Sequence, residues 1–522
     1  MLNSLSSTEH LFSFKNADDI LTLRHVLQSS GFSSAGVLDR LGVKDFPSIR
    51  SGDLPLLLHR TNNGTPLDLF VRLFLIEVPV EAGALARAIE PMSLETWVDA
   101  GLVEVDAGAE MAVAAIKLLP YEDLLVAFDL PRRLQDSLKY EYVMGIGKSS
   151  LTLANLTVRR HSRATLDLGT GCGIQALLAA GHSDRVFAVD RNPRAIRFAS
   201  FNAKLNGMTN IECIEGDLFE PVEGEKLDLV VSNPPFVISP EMRYIYRDSG
   251  MQGDQVCRKI VREVPRFLQE GGYCQILCNW AEYTQPDAGK ELAGWFEETG
   301  CDAWVMRSET LDAAAYASTW IQHTEKDEPE RFSQRFEEWL AYYEQLGIGS
   351  VSAGLITMRR SRGRKNWLRS DDTPEKMLGP CGQSVLRGFE LHDFLEIVED
   401  DLSLLDSCFL ISPEVRLEQE YEPRADGWKL MAGRMRLTRG LAWSGEIDPF
   451  MANMLIGCNG QRRLGDLLGN MAASLGVALP AVTAPFCELV RKLVERGFLL
   501  PSGLEHQVSV NPSTDRQEEQ AP

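Results

Sequence analysis

The stretch Thr165-Leu-Asp-Leu-Gly-Thr-Gly-Cys-Gly-Ile-Gln-Ala-Leu-Leu-Ala-Ala180 decides the fold of this 522-residue chain. It predicts an apolar strand, then a loop with glycines at positions 169, 171 and 173, then a helix. Glycines in such a loop let the backbone turn tightly and let a ligand approach without a Cβ in its way. Ile174 stands where the third glycine of the dinucleotide-binding fingerprint would be, which argues against a dehydrogenase.

Two acidic residues follow the glycine loop at the ends of later predicted strands. Asp190 ends the apolar run Val186-Phe-Ala-Val-Asp190, about 20 residues beyond the first glycine, where a carboxylate accepts hydrogen bonds from a ribose. Asp217 lies in Ile214-Glu-Gly-Asp-Leu-Phe219, where a carboxylate accepts from an adenine amino group while Leu218 covers the ring. The loop and the two acids together indicate a cofactor that contains a nucleoside.

The segment Leu227-Asp-Leu-Val-Val-Ser-Asn-Pro-Pro-Phe236 indicates the reaction class. A buried strand ends in a rigid Pro-Pro turn, which fixes the Asn233 amide and the Pro234 carbonyl as two acceptors beside the ring of Phe236. This arrangement suits a planar amino group, whose two N–H bonds are held while its lone pair turns toward an electrophile. Catalysis would then come from orientation and not from a general base.

Short apolar runs alternate with helical stretches from about residue 140 onward, which predicts a doubly wound α/β sheet covered on both faces. A β-hairpin with a charged helix between its strands is expected to end this sheet. The predicted domains are an N-terminal helical or winged-helix-like region over 1–135, the α/β domain over 136–370, a C-terminal α+β or winged-helix-like region over 371–501, and a disordered tail over 502–522.

Composition restricts the partners and the compartment. The chain has 53 basic and 74 acidic residues and a net charge of −21, which disfavours a broad nucleic-acid-binding surface. Its 10 cysteines form no Cys-x-x-Cys pair, so we expect reduced thiols and no metal site. It contains no signal-peptide pattern and no apolar run of roughly 18 residues, so we expect a cytoplasmic protein with no membrane partner.

Taken in order, these motifs resemble the class I S-adenosylmethionine-dependent methyltransferases, in the methyltransferase small or HemK-like branch that carries an Asn-Pro-Pro-aromatic motif. The resemblance covers roughly residues 140–369. It implies a Rossmann-like, seven-stranded sheet, S-adenosylmethionine as cofactor, and methyl transfer to a planar nitrogen. The cofactor-binding residues that it implies are Asp167, Gly169, Thr170, Gly171, Cys172, Gly173, Asp190, Arg191, Asp217, Leu218 and Asn233. The catalytic residues that it implies are Asn233, Pro234, Pro235 and Phe236.

The methyl acceptor stays open at this point. Phe236 stands where HemK-type glutamine enzymes usually have Tyr, which favours an exocyclic amine of an RNA or DNA base, in ribosomal or transfer RNA first. The segment Arg247-Asp-Ser-Gly-Met-Gln-Gly-Asp254 instead resembles a downstream segment of the HemK type, which acts on a protein glutamine amide. A smaller metabolite is a further acceptor class. A non-catalytic protein that keeps the cofactor fold as a scaffold is the alternative from a different functional class.

A basic segment follows the last strand predicted for the α/β domain. Its members are Arg359, Arg360, Arg362, Arg364 and Lys365, with Trp367 close behind. Such a cluster can hold RNA phosphates and stack a base, which would steer a nucleic acid to the Asn-Pro-Pro-Phe motif. A solvated hairpin end balanced by Asp371 and Asp372 is the other interpretation.

Overall fold

The computed structural model describes residues 11–16, 18–46, 51–106, 108–131, 139–241, 245–285, 291–324 and 329–503. The chain divides into two units, Met1–Ala154 with Arg160–Asp372, and Asn155–Arg159 with Thr373–Pro522. The predicted boundary between residues 135 and 136 and most of the predicted tail, 504–522, lie outside the described residues.

The first unit opens with short helices and three short antiparallel pairings. The helices are α1 Asp19–Ser29, α2 Ser34–Leu41, α3 Leu54–Arg60, α4 Pro66–Phe70 with a π-helix over Val71–Ile76, α5 Ala82–Ala88 and α6 Leu94–Asp99. The strands are β1 Val80–Glu81, β2 Val103–Asp106, β3 Met111–Ala114, β4 Lys117–Tyr121 and β5 Leu124–Phe128. Strands β1, β3 and β2 form a sheet and β4 pairs with β5. Helices α5 and α6 are followed by the β2–β3 hairpin.

A large sheet forms the rest of this unit. Its strands are β6 Ser162–Leu168, β7 Ser183–Asp190, β8 Ile211–Glu215, β9 Leu227–Ser232, β10 Leu268–Tyr283, β11 Cys301–Asp312, β12 Ile348–Arg360 and β13 Leu368–Asp372. The flanking helices are α7 Lys148–Leu156, α8 Ile174–Ala180, α9 Pro193–Leu205, α10 Gln255–Glu263, α11 Ala313–Thr324 and α12 Pro329–Leu346. In the described chain the spatial order of the strands is β13-β11-β12-β10-β9-β6-β7-β8.

Strands β6 to β10 run parallel, and β12 lies antiparallel between β10 and β11. This confirms the predicted doubly wound α/β fold and its terminal hairpin, whose strands β11 and β12 are separated by α11 and α12. Seven strands were expected, and β13 adds an eighth at the edge, paired parallel to β11. The sequence Leu-Arg-Ser-Asp-Asp of β13 is too polar to show an apolar strand signal, and charged residues of this kind are common on edge strands.

The N-terminal elements share one hydrophobic core with helix α9. The ring of Phe12 stacks on that of Phe201, with centroids 4.0 Å apart. The side chain of Asn206 donates to the carbonyl of Leu125 (2.8 Å) and accepts from its amide (2.9 Å). These two bonds imitate the pairing of a neighbouring strand, so α9 extends the β4–β5 hairpin with side-chain amides.

The second unit combines helices with small antiparallel sheets. Its helices are α13 Gly382–Ile397, α14 Asp401–Asp406, α15 Pro449–Ile456, α16 Leu464–Leu475 and α17 Leu479–Glu495. Its strands are β14 Met377–Leu378, β15 Cys408–Ile411, β16 Val415–Arg424, β17 Gly427–Leu437, β18 Gly440–Leu441, β19 Ser444–Glu446, β20 Asn459–Arg463 and β21 Leu499–Pro501. Strands β20, β15 and β21 form one sheet, and β16, β17 and β19 another. Helices α16 and α17 are followed by strand β21.

Candidate active site

The glycine loop joins the carboxyl end of β6 to α8. Its amides at Gly169 and Thr170 both donate to the carbonyl of Val189, at 2.9 Å each, which ties the loop to β7. Gly169 and Gly171 have φ of +74° and +56°, and a Cβ built on either would meet no atom within 4 Å. A Cβ on Gly173, at φ +85°, would lie 3.1 Å from Ala199. The first two glycines therefore leave open space for a ligand, and Gly173 allows helix packing.

Asp190 holds the loop from the end of β7. One carboxylate oxygen accepts from the Gly171 amide and the other from the Asn192 amide, both at 2.9 Å. Burial raises the pKa of Asp190 above its ordinary value, while these hydrogen bonds oppose that shift. The carboxylate is thus fixed beside the loop, at the carboxyl edge of the sheet where doubly wound folds bind ligands.

Asp167 lies on β6, two residues before Gly169, and is buried. It accepts from the Thr170 hydroxyl at 2.6 Å and from the Ala176 amide at 2.9 Å. Desolvation raises the pKa of Asp167 to about 7 in spite of these bonds. The charge of this carboxyl group therefore changes close to neutral pH.

The segment after β8 lies on another side of the space next to the glycine loop. Asp217 is exposed, and Leu218 is half-buried with φ +48°, a conformation that residues with side chains seldom adopt. The amide of Gly216 donates to the Asp190 carbonyl at 3.1 Å, which sets this segment next to the glycine loop.

The Asn-Pro-Pro-Phe turn begins where β9 ends. Ser232 donates its hydroxyl to the Leu168 carbonyl at 2.8 Å, so the ends of β9 and β6 are joined. The Asn233 side chain donates its amide N–H to the hydroxyl of Ser149, at the start of α7, at 3.2 Å. This contact uses one N–H of the Asn233 amide, and the amide oxygen can accept a hydrogen bond from a ligand.

These segments enclose one cavity of about 310 Å³. The residues predicted for the site that line it are Asp167, Gly169, Thr170, Gly171, Cys172, Asp190, Arg191, Asp217, Leu218, Asn233, Pro234, Pro235 and Phe236. Gly173 lies behind the loop against α9. The cavity is also lined by Ser149, Tyr246, Arg247 and Trp320. Arg247 lies in the segment 247–254, which resembles a downstream segment of the HemK type, whereas Trp320 comes from a helix without any motif.

The predicted basic segment is not part of this cavity, and its arrangement does not support a contact loop for nucleic acid. Arg359 and Arg360 belong to strand β12. Arg359 and Arg364 each donate to the buried carboxylate of Asp302 on β11, at 2.6 Å. Arg360 donates to the backbone carbonyl of Thr299. Asp302 thus holds two of the five basic residues against the sheet, while Arg362 and Lys365 are exposed, and the contact with nucleic acid stays a prediction.

Comparison with known proteins agrees with this geometry. Residues 145–297 match the methyltransferase small domain family. A protein N5-glutamine methyltransferase of Methanocaldococcus jannaschii is 36% identical over 136 residues, which cover 25% of this chain and 68% of the relative. The chain belongs to the S-adenosylmethionine-dependent methyltransferases of the methyltransferase small, HemK-like branch. The release factor glutamine methyltransferase of Geobacter sulfurreducens is 33% identical over 161 residues, 28% of this chain and 54% of that relative.

The methyltransferase region of the chain thus spans between about half and two thirds of the length of these relatives. The flanking regions match two domains of unknown function, DUF7059 over residues 29–115 and DUF7782 over residues 387–501. Among solved structures, the YcgJ protein of Bacillus subtilis is 18% identical with a TM-score of 0.28, covering 41% of this chain and 98% of that one.

The cofactor of this methyltransferase is S-adenosylmethionine, and the cavity fits it. Gly169 and Gly171 leave open space where a side chain would stand. Asp190, whose carboxylate lies beside the loop, lines the same cavity, and a carboxylate attracts a ligand that carries a sulfonium and an ammonium group. Among the described residues no group of three or more His, Cys, Asp and Glu side chains could hold a metal ion. No helix in the described ranges is long and apolar enough to cross a membrane.

Proposed function

We propose that this methyltransferase transfers the methyl group to the side-chain amide nitrogen of a protein glutamine. The observation that carries the proposal is the Asn233 amide, fixed by Ser149 beside Pro234 and Phe236 in the cavity. The names of the relatives support the same acceptor class. The Methanocaldococcus jannaschii relative is named for protein N5-glutamine, and the Geobacter sulfurreducens relative for glutamine in release factors. A third, from Bradyrhizobium diazoefficiens, is named ribosomal protein uL3 glutamine methyltransferase and is 36% identical over 126 residues, 21% of this chain and 40% of that relative.

The proposed mechanism is orientation of the acceptor amide. S-adenosylmethionine supplies an electrophilic methyl group on a cationic sulfur. Asn233 Oδ1 and the Pro234 carbonyl accept hydrogen bonds from the two N–H groups of the glutamine amide, and Phe236 packs on the flat face of that amide. This grip would take the nitrogen lone pair out of conjugation with the amide carbonyl, so that it can point at the methyl group that the cofactor would supply. The N–C bond would form as the S–C bond breaks, and the amide would lose one N–H proton to water.

We also propose which residues of the cavity bind each part of the cofactor. We infer that the glycine loop, including Thr170 and Cys172, borders the methionine part together with Asp167. Asp190 would hold the ribose hydroxyls, and Asp217 with Leu218 the adenine. Arg191, which donates to the Ser249 carbonyl at 3.3 Å, would fasten the segment that follows the Asn-Pro-Pro-Phe motif. The flanking regions 1–135 and 371–501 are proposed to recognise the acceptor protein.

An exocyclic amine of an RNA or DNA base is the second candidate, and Phe236 in place of Tyr is the observation that favours it. The engagement of Arg359 and Arg364 by Asp302 weakens the other support for that candidate. A binding scaffold without catalysis would have no need of the acceptor pair formed by Asn233 and Pro234.

The test uses the full chain with S-adenosylmethionine labelled in its methyl group. Purified release factor, ribosomal protein uL3 and total RNA are offered as separate acceptors, and label is expected in a protein. Asn233→Ala is expected to lower transfer by at least about 100-fold while calorimetry shows cofactor affinity within about 2-fold. Asn210→Ala, which removes an asparagine bonded to Ala180 and Ser183 away from the cavity, is the control. Label in RNA alone would refute the glutamine proposal, and full activity of Asn233→Ala would refute the mechanism.

A further inference from the structure

The connection between β11 and β12 reaches the part of the cavity that the Asn-Pro-Pro-Phe turn lines. It consists of α11 and α12, and Trp320 of α11 lines the cavity together with Phe236. The two ring centroids are 6.4 Å apart with planes at 73°, an edge-to-face arrangement. Two aromatic faces at such an angle form an apolar corner beside the Asn-Pro-Pro-Phe turn.

The same helices fix the chain that leaves Phe236. Residues 237–241 belong to no helix or strand. The hydroxyl of Tyr316 accepts from the Ile238 amide at 3.2 Å, and the hydroxyl of Tyr343 donates to the Ile238 carbonyl at 2.8 Å. Both tyrosines are almost fully buried. The position of the chain just beyond the motif is therefore determined by α11 and α12.

A buried charge cluster adds a second connection. Glu241 accepts from Arg335 of α12 and from Arg247, which itself lines the cavity. Arg247 also donates to Asp248 at 2.7 Å. Two acids and two bases balance one another, and at most 11% of any of these four side chains is exposed. Such a cluster costs desolvation energy and is kept where it fixes a geometry.

We propose that Trp320 of α11 contacts the acceptor directly and selects it, while α12 holds α11 and the chain beyond Phe236 in position. The inference rests on the proposed glutamine acceptor. A glutamine whose amide reaches Asn233 has two methylene groups behind that amide, and the corner of Trp320 and Phe236 is an apolar surface of the cavity beside the Asn-Pro-Pro-Phe turn. Burial of two methylenes contributes about 10-fold or more to acceptor binding.

The experiment measures kcat/KM for purified release factor and the dissociation constant of S-adenosylmethionine, with the full chain and two variants. Trp320→Ala removes the corner. Phe332→Ala is the matched control, because Phe332 is an aromatic residue of α12 that stacks on Phe336, with centroids 6.1 Å apart, and does not line the cavity. Trp320→Ala is expected to lower kcat/KM for the acceptor by about 10- to 100-fold, with cofactor affinity within about 2-fold. Phe332→Ala is expected to stay within about 2-fold in both measurements.

An unchanged kcat/KM in Trp320→Ala overturns the inference, and so does an equal loss in both variants or a matching loss of cofactor affinity. If the wild-type enzyme labels RNA and no protein, the proposed glutamine function fails separately. The two variants are then compared with that RNA as acceptor. If Trp320→Ala loses activity on RNA and Phe332→Ala does not, the selecting role of Trp320 is still supported. If both variants keep full activity on RNA, that role is refuted as well.

Discussion

Replacement of Asn202 by leucine is expected to weaken both the fold and cofactor binding. Asn202 lies on α9 and is fully buried. Its side chain accepts from the Ala127 amide (2.8 Å), donates to the Ala127 carbonyl (2.9 Å) and donates to the Cys172 carbonyl (2.8 Å). The first two bonds hold the N-terminal hairpin, and the third holds the glycine loop.

The magnitude follows from these three bonds. A net loss of about 1 kcal/mol per hydrogen bond, with a further cost for buried backbone groups left without this partner, gives roughly 3–5 kcal/mol for Asn202→Leu. One bond of about 1 kcal/mol to the glycine loop corresponds to about a 5-fold weaker cofactor affinity.

Asn206→Leu provides the matched control one helical turn away. Asn206 also makes two bonds to the N-terminal hairpin, both to Leu125, and none to the glycine loop. Urea unfolding is measured by circular dichroism, and hydrogen exchange of the peptide over 124–128 localises the loss of stability. Calorimetry gives the affinity for S-adenosylmethionine under conditions where both variants are folded. Equal cofactor affinity in the two variants, or a loss of stability below about 1 kcal/mol in Asn202→Leu, would refute the reasoning.

Two further predictions concern the glycine loop and the acid beneath it. Gly173→Ala is expected to destabilise the fold by about 2–4 kcal/mol in urea unfolding, because it adds a contact at 3.1 Å with Ala199 to an unfavourable φ. Gly171→Ala should cost only about 1–2 kcal/mol in the same assay but weaken cofactor binding in calorimetry, since its Cβ enters the open cavity. The folded-state pKa of Asp167 is raised from an ordinary 3.8 to about 7, so the folded state binds its proton more tightly and cofactor-free stability should fall as pH rises through that window. Thermal unfolding of Asp167→Asn should lack this part of the decline, and an identical pH profile in the variant would contradict the assignment.

The sequence predicts the sheet well because its signals are local. Runs such as Leu229–Val231 are apolar at consecutive positions, which is typical of a strand covered on both faces. The glycine loop and the Asn-Pro-Pro-Phe turn are equally local, since each occupies a few consecutive residues at the end of a strand. Strand β13 is missed for the opposite reason. Its charged side chains at the sheet edge resemble those of a loop.

Contacts between distant residues cannot be predicted in the same way. The basic segment looks like a patch for phosphates until Asp302 is seen to pair with Arg359 and Arg364, about 60 residues away along the chain. Trp320 lies in a helix whose sequence has no motif, and only the path of the chain between β11 and β12 brings it to Phe236. Selectivity for an acceptor depends on such contacts, which explains why the motif alone leaves the acceptor class open.

Helix α9 connects the N-terminal region to the glycine loop. Asp190 precedes the helix and fixes the glycine loop, whereas Arg194 in its first turn forms a buried, two-pronged ion pair with Asp129 (2.9 and 2.5 Å). Asp129 also accepts from the Val143 amide at 2.9 Å, and Val143 lines the cavity. The residues that hold the N-terminal region are therefore interleaved with residues that shape the cofactor site. Coupled equilibria are reciprocal. If docking of the N-terminal region favours ligand binding at the glycine loop by a certain free energy, ligand binding favours that docking by the same free energy.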